Sequence, residues 1–144
     1  MMPPIKNDKA MKKVNVIIER GSDGHYSAYM DDDTLDYSVI GTGATAREAE
    51  NDFRVALQKM RDLYRDENRT FVEIEPMFVF DVASFLAYYS NLFTLAGLER
   101  LTGINRGQLS HYITGRRHPR PATVKKIETQ IRRLGEELSH ASFV

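Results

Sequence analysis

Cysteine is missing from the 144 residues, so neither a disulfide framework nor a thiolate zinc site is available. That is the composition expected of a cytoplasmic protein. Long apolar runs are missing too: no stretch approaches the roughly 18 residues that mark a membrane span, and no membrane partner is expected. Residues 1–13 (MMPPIKNDKAMKK) lack the apolar centre of a secretory leader, and a frayed start is expected there. Net charge is absent only on average, because 20 Lys+Arg balance 20 Asp+Glu. Residues 1–81 hold 11 basic against 16 acidic residues, a balance of −5, and residues 82–144 hold 9 against 4, a balance of +5. Such asymmetry points to two jobs, with the basic half suited to a polyanion.

The most informative stretch is residues 94–119, TLAGLERLTGINRGQLSHYITGRRHP. Leu95, Leu98 and Leu101 make an apolar stripe that stops at Gly103, a residue suited to the φ > 0 position beyond a helix end. Ile104 supplies one buried contact. Asn105 then caps a second helix with apolar positions Leu109, Tyr112 and Ile113, and Gln108 lies at capping-box spacing from it. Helix, glycine turn and helix with a polar free face predict a helix-turn-helix, against the plainer reading of an αα-hairpin in a bundle.

Leu98, Gly103, Ile104, Asn105, Leu109, Ser110, Gly115 and Pro119 stand where the Cro/phage-repressor type of helix-turn-helix has its signature residues, and the stretch resembles that family. Two positions depart from it. Glu99 stands where the family usually has alanine, and Gly107 lies inside the recognition helix at a cost of about 1 kcal/mol relative to alanine. The resemblance implies that Arg106, Gly107, Gln108 and His111 enter the major groove, with Arg106 able to donate bidentately to guanine and Gln108 to adenine. Thr94 is expected to cap the first helix and to meet a phosphate. Arg116, Arg117 and His118, with Arg120, Lys125 and Lys126 beyond, read as phosphate contacts that position without specifying. The DNA-binding set is thus Thr94, Asn105, Arg106, Gly107, Gln108, His111, Arg116 and Arg117.

Ahead of the motif, Asp81 is expected to cap a helix over residues 82–93, using Phe85, Leu86, Tyr89 and Leu92 or Phe93 as its apolar face. Behind it, a helix from about Ala122 to Leu138 carries Val124, Ile127, Ile131, Leu134 and Leu138. Its first half should close the core, and its second half is either core or a dimer seam. Operators for such modules are paired half-sites, so a homodimer or higher homo-oligomer is expected.

The acidic half reads β-β-β-α-β. Strands are expected at residues 14–20, 25–30 and 37–42, with a Gly-Ser-Asp-Gly turn at 21–24. Thr45 with Glu48 then opens a helix with apolar face Ala46, Ala49, Phe53, Ala56, Leu57, Met60 and Leu63. A fourth strand is expected at 71–75, extended past Pro76 by residues 77–80. The fold class is therefore an α+β domain over residues 1–80, followed by an all-α helix-turn-helix domain over 81–144.

The strand order, the hairpin VNVIIERGSDGHYSAYM and the helix start Gly41, Gly43, Thr45, Glu48 and Ala49 resemble the N-terminal domain of HicB-type antitoxins. The chain has DDDTLDYSVIG where that family often carries a Pro-Asp-Leu-Pro-Gly-like stretch. The resemblance implies a partial ribonuclease-H-like sheet with one helix, a small basic HicA-like mRNA-interferase toxin as partner, and repression of the chain's own operon through double-stranded operator DNA. The alternative is a stand-alone repressor whose first domain senses a ligand or oligomerises.

Catalysis is not expected. Metal-assisted cleavage needs converging carboxylates, and Glu19, Glu48, Asp52, Glu73 and Glu75 read more simply as solvated positions. Residues 41–46 fit GxGxxA, but hairpin strands precede them and residues 61–64 are still helix where a dinucleotide site needs its ribose-binding acid, so a turn into a capped helix is expected. His25, His111, His118 and His140 lack metal-ligand spacing. No cofactor or metal is predicted. The acidic run at 31–36 reads as a solvated loop that would steer a basic partner.

Overall fold

The computed structural model describes residues 11–144, so most of the expected frayed start lies outside the described residues. Two compact units follow one another, the first ending at Phe80 and the second comprising Asp81–Val144.

In the first unit, β1 (Lys12–Arg20), β2 (Tyr26–Met30) and β3 (Ile40–Gly43) precede α1 (Ala46–Asp66), and β4 (Ile74–Phe80) closes the sequence. The sheet order is β3-β2-β1-β4. β1 pairs antiparallel with β2 and parallel with β4, and β2 pairs antiparallel with β3. Side chains alternate between faces along a strand, so Val14, Val16 and Ile18 of β1 and Tyr26, Ala28 and Met30 of β2 share the buried side with Ala49, Phe53 and Leu57 of α1. Thr45 Oγ1 caps α1 by accepting from the Glu48 N–H at 3.1 Å, and Glu48 Oε2 accepts from the Ala44 N–H at 2.8 Å. This is the reciprocal arrangement of a capping box, shifted by one residue.

Four expectations for this unit need correction. Residues 37–39 are not strand, and neither are 71–73. Tyr37 and Phe71 instead stack at 4.6 Å, and both meet Tyr64 edge-on at 5.7 and 5.3 Å. Tyr64 rather than Leu63 is the buried residue at the end of α1, because this aromatic cluster covers it. β4 runs through Pro76, which a strand at the sheet edge tolerates since its missing N–H is not needed on the outer side. The acidic loop is not merely solvated: Asp32 Oδ1 accepts from the Thr34 N–H and hydroxyl, both at 2.8 Å, and Oδ2 meets Lys12 Nζ at 2.8 Å. The lysine hydrogen bond, followed by those of Thr34, holds the Asp32 carboxyl well below its ordinary range.

The second unit holds α2 (Val82–Tyr88), α3 (Leu95–Thr102), α4 (Arg106–Ile113) and α5 (Pro121–Ser139). Leu86, Leu98, Leu109 and Tyr112 form its core, with Phe85, Phe93, Ile104 and Ile113 packed around them and Ile127 buried from α5. Asp81 Oδ2 caps α2 by accepting from the Ser84 N–H and hydroxyl at 3.1 and 2.9 Å. α2 is shorter than expected and ends before Ser90, whose hydroxyl turns back to the Ala87 carbonyl at 2.8 Å. Serine and asparagine at 90 and 91 favour such a turn, which leaves Leu92 exposed and Phe93 packed inward. In α3 the buried pair is Leu98 and Thr102, four residues apart, while Leu95 is exposed. The Thr102 hydroxyl is satisfied by donating to the Leu98 carbonyl at 2.7 Å. On α5, Val124, Ile131 and Leu134 are half-buried and Leu138 is exposed.

Candidate nucleic-acid interface

The geometry of this site begins with the ends of α3 and α4. Thr94 is extended and its Oγ1 accepts from the Gly97 N–H at 2.9 Å, so α3 starts where its hydroxyl can serve an orphan donor. Gly103 ends α3 with φ 71° and gives its N–H to the Glu99 carbonyl at 2.8 Å. An αL position there is open to glycine without the strain a Cβ would bring. Two residues on, Asn105 Oδ1 accepts from the Gly107 N–H at 2.7 Å and starts α4. The expected partnership of Asn105 with Gln108 is therefore not formed: the acceptor is used one residue earlier. A second side-chain acceptor at this helix start comes from across the turn, where the carboxylate oxygen Glu99 Oε2 takes the Arg106 N–H at 2.7 Å.

Residues 91–134 match the family model described as Helix-turn-helix. The matched segment contains α3, the Gly103 turn, α4 and most of α5. It is a helix-turn-helix of the Cro/C1 type, and this supports DNA binding and transcriptional regulation as the class of function. No curated protein and no solved structure matches the chain.

Within the helix-turn-helix, the first turn of α4 brings together Asn105, Arg106 and Gly107, all exposed. Gln108 and His111 follow on the same helix and are half-buried, while Leu109 and Tyr112 face the core. His111 Nδ1 is buried without a hydrogen-bond partner. Arg116, Arg117 and His118 are exposed in the turn after α4, where Gly115 adopts φ 76° and the Arg117 N–H reaches the His111 carbonyl at 3.3 Å. Arg120 is the N-cap residue of α5 and offers it no side-chain hydrogen bond; Pro121 opens the helix instead. Thr94 stands apart from the α4 residues in sequence and serves the other helix start.

Two features of the site were not foreseen from the sequence. The first is an ion pair between Arg106 and Glu99, with a guanidinium nitrogen 3.1 Å from Oε1. Hydrogen bonds from the Arg106 backbone N–H and then its side chain hold the Glu99 carboxyl below its ordinary value of 4.5. The signal was present in the sequence as an acidic residue at a position the resembled family fills with alanine. The second is Lys126. Its ammonium lies beside Gly103, where a Cβ would sit 3.5 Å from Nζ. A cation there complements the carbonyl end of α3, which gives this lysine a structural use alongside any phosphate contact.

Three of the five carboxylates considered for cleavage chemistry have separate partners. Asp52 Oδ2 accepts from the Thr42 N–H at 2.8 Å, Glu48 serves Ala44, and Glu73 holds Arg61 through two bonds of 2.8 Å each. Among the described residues no cluster of three or more His, Cys, Asp or Glu is placed to hold a metal ion. No helix among them is long and apolar enough to cross a membrane.

Proposed function

We propose that the chain is a HicB-like antitoxin that also represses its own operon. The observation that carries the DNA-binding half is the exposed first turn of α4, Asn105-Arg106-Gly107, followed by the exposed basic turn at Arg116 and Arg117. In this reading Arg106 donates to a base edge, with Gln108 and His111 beside it in the major groove. Gly107 lets the backbone approach closely. Arg116 and Arg117 neutralise phosphates. The two caps retain donors for the same purpose: the Thr94 hydroxyl accepts from Gly97 and keeps its own hydrogen, and the Asn105 amide nitrogen is free of its capping oxygen's task. A homodimer on paired half-sites completes the mechanism, with the exposed end of α5 at Leu138 available to the partner copy.

The toxin-binding half rests on the resemblance of the first unit to HicB proteins. A three-stranded meander, one helix and a fourth strand parallel to the first supports that reading, as does the acidic balance that suits a small basic toxin. A partial ribonuclease-H-like sheet belongs to the same proposal.

The DNA half is tested by selecting a preferred sequence with the full chain and measuring binding of two variants. Arg106→Ala should weaken the selected site by about 1–3 kcal/mol and relax one base pair, while Arg117→Ala should weaken selected and random DNA alike. Equal losses on both DNAs for both variants would remove Arg106 from base readout. The toxin half is tested by capture from source-cell lysate with the full chain as bait. A small basic protein that arrests growth when expressed alone supports it. An empty bait would leave a stand-alone repressor.

A further inference from the structure

The Glu99–Arg106 pair lies inside the element that the proposed function assigns to base readout, and the inference drawn from it rests on that reading. Both carboxylate oxygens of Glu99 are directed at one residue. Oε2 takes the Arg106 backbone N–H at 2.7 Å and Oε1 takes a guanidinium N–H at 3.1 Å. The backbone bond fixes the carboxylate to the start of α4, and the side-chain bond fixes the guanidinium to the carboxylate. The arginine side chain is thereby rooted on α4 and held near its tip by a carboxylate that α3 bears. A guanidinium has five N–H donors in a planar fork, and this contact uses one of them. The Arg106 side chain remains 59% exposed against 33% for Glu99, so its free edge is open to solvent while the acid is the more covered partner.

We infer that Glu99 is a specificity-determining positioning residue: it holds the Arg106 guanidinium in one orientation, so that its free edge reads a single base pair. An unrestrained arginine has many rotamers and donates equally well to a phosphate or to several acceptors in the groove. A guanidinium held by a carboxylate is pre-oriented, and the ordering that discrimination requires is completed before DNA arrives. The carboxylate also brings a negative charge to a face that meets a polyanion. It therefore lowers affinity for DNA of any sequence while sharpening the choice among sequences. The carboxyl stays ionised at neutral pH, because the hydrogen bonds from Arg106 favour its charged form.

The test compares the full chain with Glu99→Gln, Arg106→Ala and the double variant. Binding is measured by fluorescence anisotropy on a selected site, on its single-base variants and on random DNA. Glutamine keeps an oxygen for the Arg106 N–H, so α4 stays capped while the guanidinium loses its charged anchor. Glu99→Gln should lose roughly tenfold of discrimination at one base pair and keep it at the others. Its affinity for random DNA should rise. In the Arg106→Ala background the same substitution should leave discrimination unchanged. Thermal unfolding of each variant reports the structural share, and Glu99→Asp, which keeps the charge on a shorter arm, should lose less discrimination than Glu99→Gln. Full discrimination in Glu99→Gln, or an equal loss at every base pair, overturns the inference and leaves DNA binding standing. A parent chain that selects no sequence overturns the base-reading proposal and this inference with it.

Discussion

A methyl group at Gly41 is the sharpest test of how the first unit is packed. A Cβ built there would lie 2.2 Å from the Phe53 nitrogen, 2.3 Å from the Ala49 carbonyl oxygen and 2.7 Å from Phe53 Cα. All three are backbone atoms of α1, so no side-chain rotation relieves the overlap. Ordinary contact begins at 3.4 Å, and α1 must lift from β3 by more than an ångström to restore it. That movement would loosen Ala49, Phe53 and Leu57 from β1 and β2, residues that are all buried in the native unit. Overpacking costs about 1–3 kcal/mol where neighbours can yield, and a rigid helix backbone places Gly41→Ala at about 3 kcal/mol or above. Amide hydrogen exchange is the suitable assay, because it reads the unit that opens even when the whole chain does not unfold in one step. A loss of about 3 kcal/mol lowers protection of the slowest β1 amides by about a hundredfold. Protection within threefold of the parent would refute the close approach of α1 to β3.

Tyr37→Phe tests the aromatic cluster by pH. Burial first, and then the Glu73 carboxylate, pushes the Tyr37 phenol from its ordinary 10 up to about 12, and its hydroxyl donates to the Val72 carbonyl at 2.7 Å. A raised folded value gives stability that is complete below pH 10 and is lost as pH climbs toward 12, because the unfolded chain ionises first. Urea midpoints should therefore fall more steeply over that interval for the parent than for Tyr37→Phe, and parallel slopes would contradict the burial of the phenol. Leu109→Ala removes a side chain that is fully enclosed by Leu86, Leu98 and Tyr112 and should cost about 2–5 kcal/mol. Its readout is the exchange protection of the α4 amides, and a loss below about 1 kcal/mol would mean that the site collapses without a cavity.

What was legible in the sequence was short-range chemistry. Thr45, Asp81, Thr94 and Asn105 each cap a helix by accepting an N–H two or three residues ahead, and Gly103 ends one by its own φ. Such features are decided within one turn, so residue type and spacing announce them. The misread features are decided by partners far along the chain. Tyr37 and Phe71 look like strand residues because aromatics favour strands, yet their packing partner Tyr64 draws both into loops around the end of α1. β4 is fixed by its parallel register with β1, Lys12 opposite Ile74 and Ile18 opposite Phe80, so it starts at Ile74 rather than Phe71 and keeps the expected extension past Pro76. Glu99 and Arg106 are seven residues apart across a turn. Their side chains meet only because Gly103 reverses the chain between them.

The charge division also gains a finer form in the folded chain. Of the basic residues between Gly103 and Arg133, Arg106 is held by Glu99, Lys126 lies beside the end of α3, and Arg132 approaches Glu128 at 3.6 Å along α5. Among the described residues, no salt bridge engages Arg116, Arg117, Arg120, Lys125 or Arg133. The first three are exposed and follow one another around the turn from α4 into α5. Positive charge that is compensated inside the fold contributes little to the field felt by a distant polyanion, whereas uncompensated charge gathered on one turn raises it locally. Three uncompensated charges are therefore gathered on the one turn that the proposed function sets against the phosphate backbone. At the start of α4, by contrast, the one arginine assigned to base readout has an acidic partner that restrains it. Affinity and selectivity are thus separable on this surface: Arg116→Ala or Arg117→Ala should reduce the salt dependence of binding, and substitutions of the Glu99–Arg106 pair should change which sequence is bound.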